Sequence, residues 1–248
     1  HPGNTQTQQA SFSMIPRILF YDIETTDLDA DFGNMIAFGY KMGPATRPTV
    51  LSLLTYAKPC RSCHRVAAVS DRALVAGAAK VLRDADLWVT WYGKQFDLRF
   101  VNTRLLDAGL PPLPPVPHID LYWTARMHLK LSSNRLASVQ DFLQLPAKKT
   151  PLTKRVWRQA QAGHVQSIKY IMEHCARDVD VLDQAYEKLR PLVRQHPRLF
   201  EHGRCLVCGS PSLQRYGVRV SVTRGPQVRF RCSACGHYEQ RAAKRGEA

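Results

Sequence analysis

The sequence predicts an α/β domain followed by a small cysteine-bearing module, and three observations carry that expectation. Apolar runs of strand length alternate with helically patterned segments over most of the chain, the pattern of a sheet flanked by helices. Between His164 and Leu192 the residues Ile168, Ile171, Cys175, Val179, Leu182 and Leu189 keep helical spacing, which predicts one long amphipathic helix. From Gly203 onward the composition turns basic, with two CxxC pairs. The 248 residues, 44% hydrophobic and 22% charged, suffice for one sizeable domain with an appendage. No apolar run approaches membrane-spanning length, so no membrane partner is expected. An excess of 35 Lys+Arg over 20 Asp+Glu, net +15, suits a polyanionic partner such as nucleic acid. Most of the seven cysteines sit in CxxC pairs, which favours metal and a reducing compartment over a disulfide framework. The absence of a GxxxxGK[ST] loop argues against ATP-driven chemistry.

Residues 1–13 are polar and patternless and read as a leader outside the folded domain, which is expected over 14–192. Ile18-Leu19-Phe20-Tyr21 reads as a strand buried on both faces, interrupted at its end by Asp22 and Glu24. An acidic turn from Asp27 to Asn34 follows. Met35 to Lys41 and Thr49 to Tyr56 read as two further strands joined by a Gly-Pro turn. The loop after them holds Cys60, Cys63 and His64, which could form half of a second zinc site; without an evident fourth ligand, a surface loop is favoured. Ala73 to Arg83 reads as a helix, Leu87 to Trp91 as a buried strand, and Gly93 to about Ala108 as a turn entering a helix. Leu110 to Pro117 is a stiff proline-rich connector. His118 to Leu121 suggests a short strand leading into a helix around Trp123 to His128; Leu136 to Leu143 is another helix, and Ala147 to Thr153 a basic loop. Beyond the long helix, 193–202 reads as a linker, 203–240 as the small module and 241–248 as a tail.

Chemistry enters with the acids. Side chains two apart on a strand share a face, so Asp22 and Glu24 converge on one spot. Held near a core they repel each other and lose hydration, and a hard divalent cation, magnesium or manganese, offsets both costs. Sites in such sheets lie at the carboxyl ends of strands, and Asp97 falls just past one. His174 and Asp178, four apart on the long helix, share one of its faces. Taken singly, Asp97 is a helix N-terminal acid and Asp178 a solvated helix acid.

Taken together, D-I-E-T-T at 22–26, G-K-Q-F-D at 93–97 and H-C-A-R-D at 174–178 resemble the three motifs of the DEDD 3′–5′ exonucleases. The likeness is to the bacterial and phage group related to the proofreading domain of B-family DNA polymerases, and it runs from about Arg17 to Leu192. It implies a ribonuclease-H-like fold, a mixed five-stranded sheet with helices on both faces. It further implies that Asp22, Glu24, Asp97 and Asp178 hold two Mg2+ or Mn2+ ions, which activate water and stabilise the leaving oxygen of an in-line displacement. The substrate implied is a single-stranded 3′ end, with DNA favoured, releasing nucleoside 5′-monophosphates in the cytoplasm of a bacterial or phage-infected cell. A replication or repair partner would suit that role. One departure stands out: the family places Tyr four residues, or His five residues, before its last Asp. Here His174 lies four before and Glu173 five before, so His174 combines the tyrosine spacing with a side chain able to accept a proton. His118 and Asp120 read as structural. Exoribonucleases, structure-specific nucleases and inactive nucleic-acid-binding proteins remain alternatives, since no motif here reads a 2′-hydroxyl.

In the last module, Cys205, Cys208, Cys232 and Cys235 resemble the two knuckles of a zinc ribbon, with four thiolates around one structural Zn2+. Two disulfides are the other possibility. Val218 to Val222 and Gln227 to Arg231 alternate like strands. Arg215, Arg219, Arg224, Arg229 and Arg231, interleaved with Tyr216, Phe230 and Tyr238, suit phosphate contact plus stacking on a single strand. Cys175, on the apolar side of the long helix, reads as core.

Overall fold

A computed structural model describes residues 16–43, 47–66, 70–146, 151–200 and 203–243. The expected leader, Pro44 of the expected Gly-Pro turn and residues 147–150 of the basic loop lie outside those ranges.

The central strand β1, Ile18–Thr25, buries Leu19, Phe20, Tyr21 and Ile23, so both of its faces are covered, as its unbroken apolar run dictates. β2 (Met35–Met42) runs antiparallel along one edge of β1, and β3 (Thr49–Ser52) antiparallel along β2. The expected strand to Tyr56 is cut short. The Ser52 side chain accepts from the Leu54 N–H and Thr55 Oγ1 accepts from the Ser52 N–H, a reciprocal cap that turns Leu53–Tyr56 into the short helix α1. After α2 (Arg72–Arg83), β4 (Leu87–Thr90) pairs parallel with the other edge of β1. Then α3 (Asp97–Asp107) leads to β5 (His118–Asp120), parallel to β4, and the sheet order is β3-β2-β1-β4-β5. This is the mixed five-stranded sheet that the motifs led us to expect.

Period-2 alternation along β1 sorts the two layers. Leu19, Tyr21 and Ile23 pack with Leu74 and Ala78 of α2 and Phe100 and Leu105 of α3. Phe20, on the other side, packs with Val139 of α5 (Leu136–Phe142) and with Val179, Leu182 and Ala185 of the long helix. Leu121 and Ala125 of α4 (Leu121–His128) join that layer. The helix α6 (Lys154–Gln161) was not foreseen. Thr153 caps it by accepting from the Val156 N–H, and Ala160 and Trp157 pack against Ile168 and Ile171 of α7, Val165–Leu189. Among the described residues no helix is long and apolar enough to cross a membrane.

A 3-10 turn, Arg190–Leu192, ends α7, and the expected linker is not a free tether. Val193 and His196 are buried, His196 Nε2 lies 2.6 Å from Tyr186 Oη on α7, and the His196 ring sits 6.3 Å from that of His237. The Phe200 ring covers Gly209, where a Cβ would come within 2.7 Å of it. The C-terminal module is a three-stranded antiparallel sheet of β6 (Leu213–Ser221), β7 (Gly225–Cys232) and β8 (Tyr238–Ala242) in the order β6-β7-β8. The third strand was not expected, and it runs two residues into the segment assigned to a tail.

Candidate functional site

The crevice opens where parallel strands part. The β1–β4 ladder ends at Phe20–Val89, and three residues further along β1 the Ile23 N–H donates instead to Asp97 Oδ1 at 3.1 Å. Asp97, the buried first residue of α3, is thereby drawn to β1 between Asp22 and Glu24. From the opposite side α7 brings His174, whose Nε2 lies 3.7 Å from Glu24 Oε1 and 3.4 Å from Asp178 Oδ2. That close approach depends on Gly39 of β2, which pairs with Asp22. A Cβ there would meet Cys175 Sγ at 2.7 Å and the Cys175 carbonyl at 3.2 Å. Cys175 is fully buried, as expected, yet it is more than core. Its thiol donates to the Asp22 carbonyl at 3.5 Å and lies 3.8 Å from Asp22 Oδ2.

Four acids from three distant segments thus meet in a poorly hydrated place. Burial, then repulsion from Asp97, Glu24 and Asp178, pushes the Asp22 carboxyl well above the usual range. Burial raises Glu24 likewise, with Asp178 and Asp97 adding to it. Asp97 is pushed up to about 7 by burial, against the pull of backbone N–H donors including that of Ile23. Burial also raises Asp178, partly offset by His174 and Arg177. Such a cluster carries its charge only beside cations. Among the described residues, Asp22, Glu24 and Cys175 offer ligand atoms within 4.8 Å of one another, and so do Glu24, His174 and Asp178. The two groups share Glu24, and their carboxylates are the oxygen donors that suit a hard divalent cation. Asp97 falls in neither tight group; it reaches the cluster through its hydrogen bond and its charge.

The loop that delivers Asp97 is itself shaped by a further acid. Asp120, at the end of β5, accepts from the N–H groups of Tyr92 (2.8 Å), Lys94 (3.2 Å) and Tyr122 (3.1 Å). It holds Tyr92 at φ +66 and Gly93 so close to Thr90 that a Cβ would come within 2.6 Å of it. His118 donates to or accepts from Thr90 Oγ1 at 2.7 Å, and burial lowers its pKa to about 3, so it is a neutral structural group. The same loop exposes Tyr92, whose ring packs edge-on at 4.8 Å against Tyr122, followed at 5.2 Å by the half-exposed Trp123. This aromatic row was not singled out in the sequence, where the three residues lie far apart or belong to ordinary helical text.

In the C-terminal module the four cysteines close on one point. Cys205 and Cys235 Sγ are 3.6 Å apart, as are Cys208 and Cys232 Sγ. Tetrahedral Zn–S bonds of about 2.3 Å require sulfurs about 3.8 Å apart, so the spacing of the set is compatible with a structural zinc. Strand alternation divides the expected nucleic-acid residues. Arg219, Arg229, Arg231 and Tyr216 share a face with Tyr238: the Arg229 guanidinium lies 4.6 Å over the Tyr216 ring, and Arg231 5.6 Å over Tyr238. Phe230 and Arg215 pair with each other on the opposite face, where Arg241 covers the Phe230 ring. Period 2 separates Phe230 from its two flanking arginines, so these residues divide between the two faces of the sheet.

Three comparisons bear on the site. No curated protein matches the chain in sequence. Among solved structures, the fold is similar to that of the family B DNA polymerase from the hyperthermophilic archaeon Pyrobaculum calidifontis, with TM-score 0.56 and 17% identity over 72% of this chain. The match takes in only 25% of the polymerase chain. The family RNase_H_2, of the RNase_H superfamily, matches residues 19–190, the span from β1 to the end of α7.

Proposed function

Because the chain belongs to the RNase_H superfamily, we propose that it is a metal-dependent nuclease, and specifically a 3′–5′ exonuclease. The observation that carries the proposal is the meeting of Asp22, Glu24, Asp97 and Asp178 at the carboxyl ends of β1 and β4, with His174 3.4 Å from Asp178. Asp22, Glu24 and Asp178 are the groups that would hold two Mg2+ or Mn2+ ions, with Asp97 supporting them from the α3 side. Such ions, when bound, lower the pKa of water and offset the charge that builds on a phosphodiester under attack. The chain's own residues do the rest. Cys175 fixes the Asp22 carbonyl side of the strand, and Asp120 fixes the loop that aims Asp97. His174, close to two acids, is placed to orient water and take its proton. The row Tyr92, Tyr122 and Trp123 offers stacking faces to splayed bases, and a chain of net charge +15 draws in the polyanion. Terminal bases of a single-stranded 3′ end stack in this way, which favours that substrate. The C-terminal module, stapled by zinc, contributes the Arg219, Arg229, Arg231 and Tyr216 face along the strand's backbone.

Digestion of matched DNA and RNA oligonucleotides labelled at either end tests this directly. With Mn2+ present, a 5′ label is expected on a ladder of shortening products and a 3′ label on mononucleotide. A single internal cut would replace the exonuclease assignment by an endonuclease. Intact oligonucleotide under all metal conditions would leave only a binding protein.

A further inference from the structure

The loop at Cys60 repeats, bond for bond, the shape of the two knuckles that build the C-terminal thiolate cluster. In the cluster, the Cys205 N–H donates to the Ser210 carbonyl at 2.8 Å, and the Gly209 N–H to the Cys205 carbonyl at 3.0 Å. The second knuckle has the same pair, from the Cys232 N–H to His237 and from the Gly236 N–H to Cys232, both at 2.9 Å. At Cys60 the N–H donates to the Arg65 carbonyl at 2.8 Å, and the His64 N–H to the Cys60 carbonyl at 3.1 Å. The residue after the second cysteine is left-handed in all three: Gly209 at φ +71, Gly236 at +75, and His64 at +52. A histidine adopts that conformation at a cost that glycine escapes, so the turn persists because its surroundings hold it. They do: Arg65 bridges to His164, the Val66 N–H donates to the Gly163 carbonyl, the Val165 N–H to that of His64, and Val66 is buried beside Ile168. The pair sits in a reverse turn with no helix N-terminus beside it.

A knuckle supplies two thiolates, and a closed zinc site needs four ligands. Of the seven cysteines, four are in the C-terminal cluster and Cys175 is buried against Asp22. Among the described residues no third metal-ligating group lies with Cys60 and Cys63, and both thiols are exposed. We propose that Cys60 and Cys63 form half of a Zn2+ site completed by the same knuckle of a second copy of this chain. Related by a twofold axis, one loop meets itself and supplies all four thiolates from a single sequence. Zinc with four thiolates carries a net charge of about −2. That charge offsets about a third of the positive charge that the exposed Lys58, Arg61 and Arg65 of two loops bring to the contact.

The test compares the full chain with its Cys60→Ser/Cys63→Ser variant, both purified under reducing conditions with zinc, by metal analysis and light scattering. The wild type is expected to hold about half a zinc ion per chain more than the variant and to have twice the chain mass, falling to one chain mass with chelator. The variant is expected to be monomeric and folded, with a circular dichroism spectrum like the wild type's, since the loop's side chains are exposed. Equal zinc content in the two proteins overturns the proposal, and so does a whole extra ion per chain in a monomer.

Discussion

At the level of single residues, the site divides into groups that hold charge and groups that aim them. Replacing Asp22 or Asp178 by Asn removes a ligand charge without changing shape. Several kcal/mol of transition-state stabilisation per metal interaction correspond to about a thousandfold or more in rate. We expect that loss in nuclease assays with a circular dichroism spectrum like the wild type's. Cys175→Ala removes the thiol that donates to Asp22, and a lost supporting partner costs about 10–100-fold in metal affinity. Titration calorimetry with Mn2+ reads that effect, and unchanged affinity would reduce Cys175 to packing. Asp22 and Glu24 were legible because residues two apart on a strand share a face, whereas Asp97 and Asp178 joined them only through the resemblance of the three motifs. What Cys175 and Asp120 do was not legible. Their partners, the Asp22 carbonyl and the Tyr92 and Lys94 N–H groups, lie across the fold, and nothing local announces them.

At the level of elements, the site depends on how closely α7 lies on β2. Gly39 permits the approach and Lys41 fixes it, its ammonium 2.6 Å from Asp183 and 3.7 Å from Asp180 on α7. Gly39→Ala inserts a methyl group where there is no room, and overpacking of this kind costs about 1–3 kcal/mol. We expect a matching loss in urea-denaturation midpoints, with a further loss of activity as His174 and Asp178 are pushed off β1. A second tie is Asp71, buried at the start of α2, which accepts two bonds from Arg104 of α3 at 2.7 and 3.0 Å and one from the Met35 N–H at 2.8 Å. Arg104→Ala strands that acid, and breaking such a buried pair costs about 3–5 kcal/mol. Elements were legible where the period was unambiguous, as in β1 and α7. Those that failed have physical reasons. Thr49 to Tyr56 is mostly β-branched and apolar, and only the Ser52–Thr55 cap breaks the strand. α6 is mostly cationic and polar, and β8, Tyr238–Ala242, lacks an apolar alternation, so neither carried a signal of burial.

For the whole molecule, the raised carboxyl pKa values make stability depend on pH and metal together. Without metal, the folded chain binds more protons at these acids than the unfolded chain does, between about 3.8 and about 7 for Asp97. Stability in chelator therefore falls as pH rises through that window. Buried His196, lowered to about 4 by burial, adds the opposite slope on the acid side, where stability is lost as pH falls from 6.5 through 4. Because His196 joins Tyr186 to the C-terminal module, acid should loosen that docking first. Metal replaces the protons, so the rise in melting temperature on adding Mn2+ should grow from about pH 5 to about pH 8. A gain that is flat with pH would contradict the coupling.

The measurement closest to the central claim is calorimetric titration of Mn2+ into the chelator-stripped protein at about pH 8, beside the Asp22→Asn and Asp178→Asn variants. Converging acids predict about two Mn2+ ions per chain, with each variant losing at least one and releasing fewer protons. Equal Mn2+ binding by all three proteins, or none by the wild type, would contradict it.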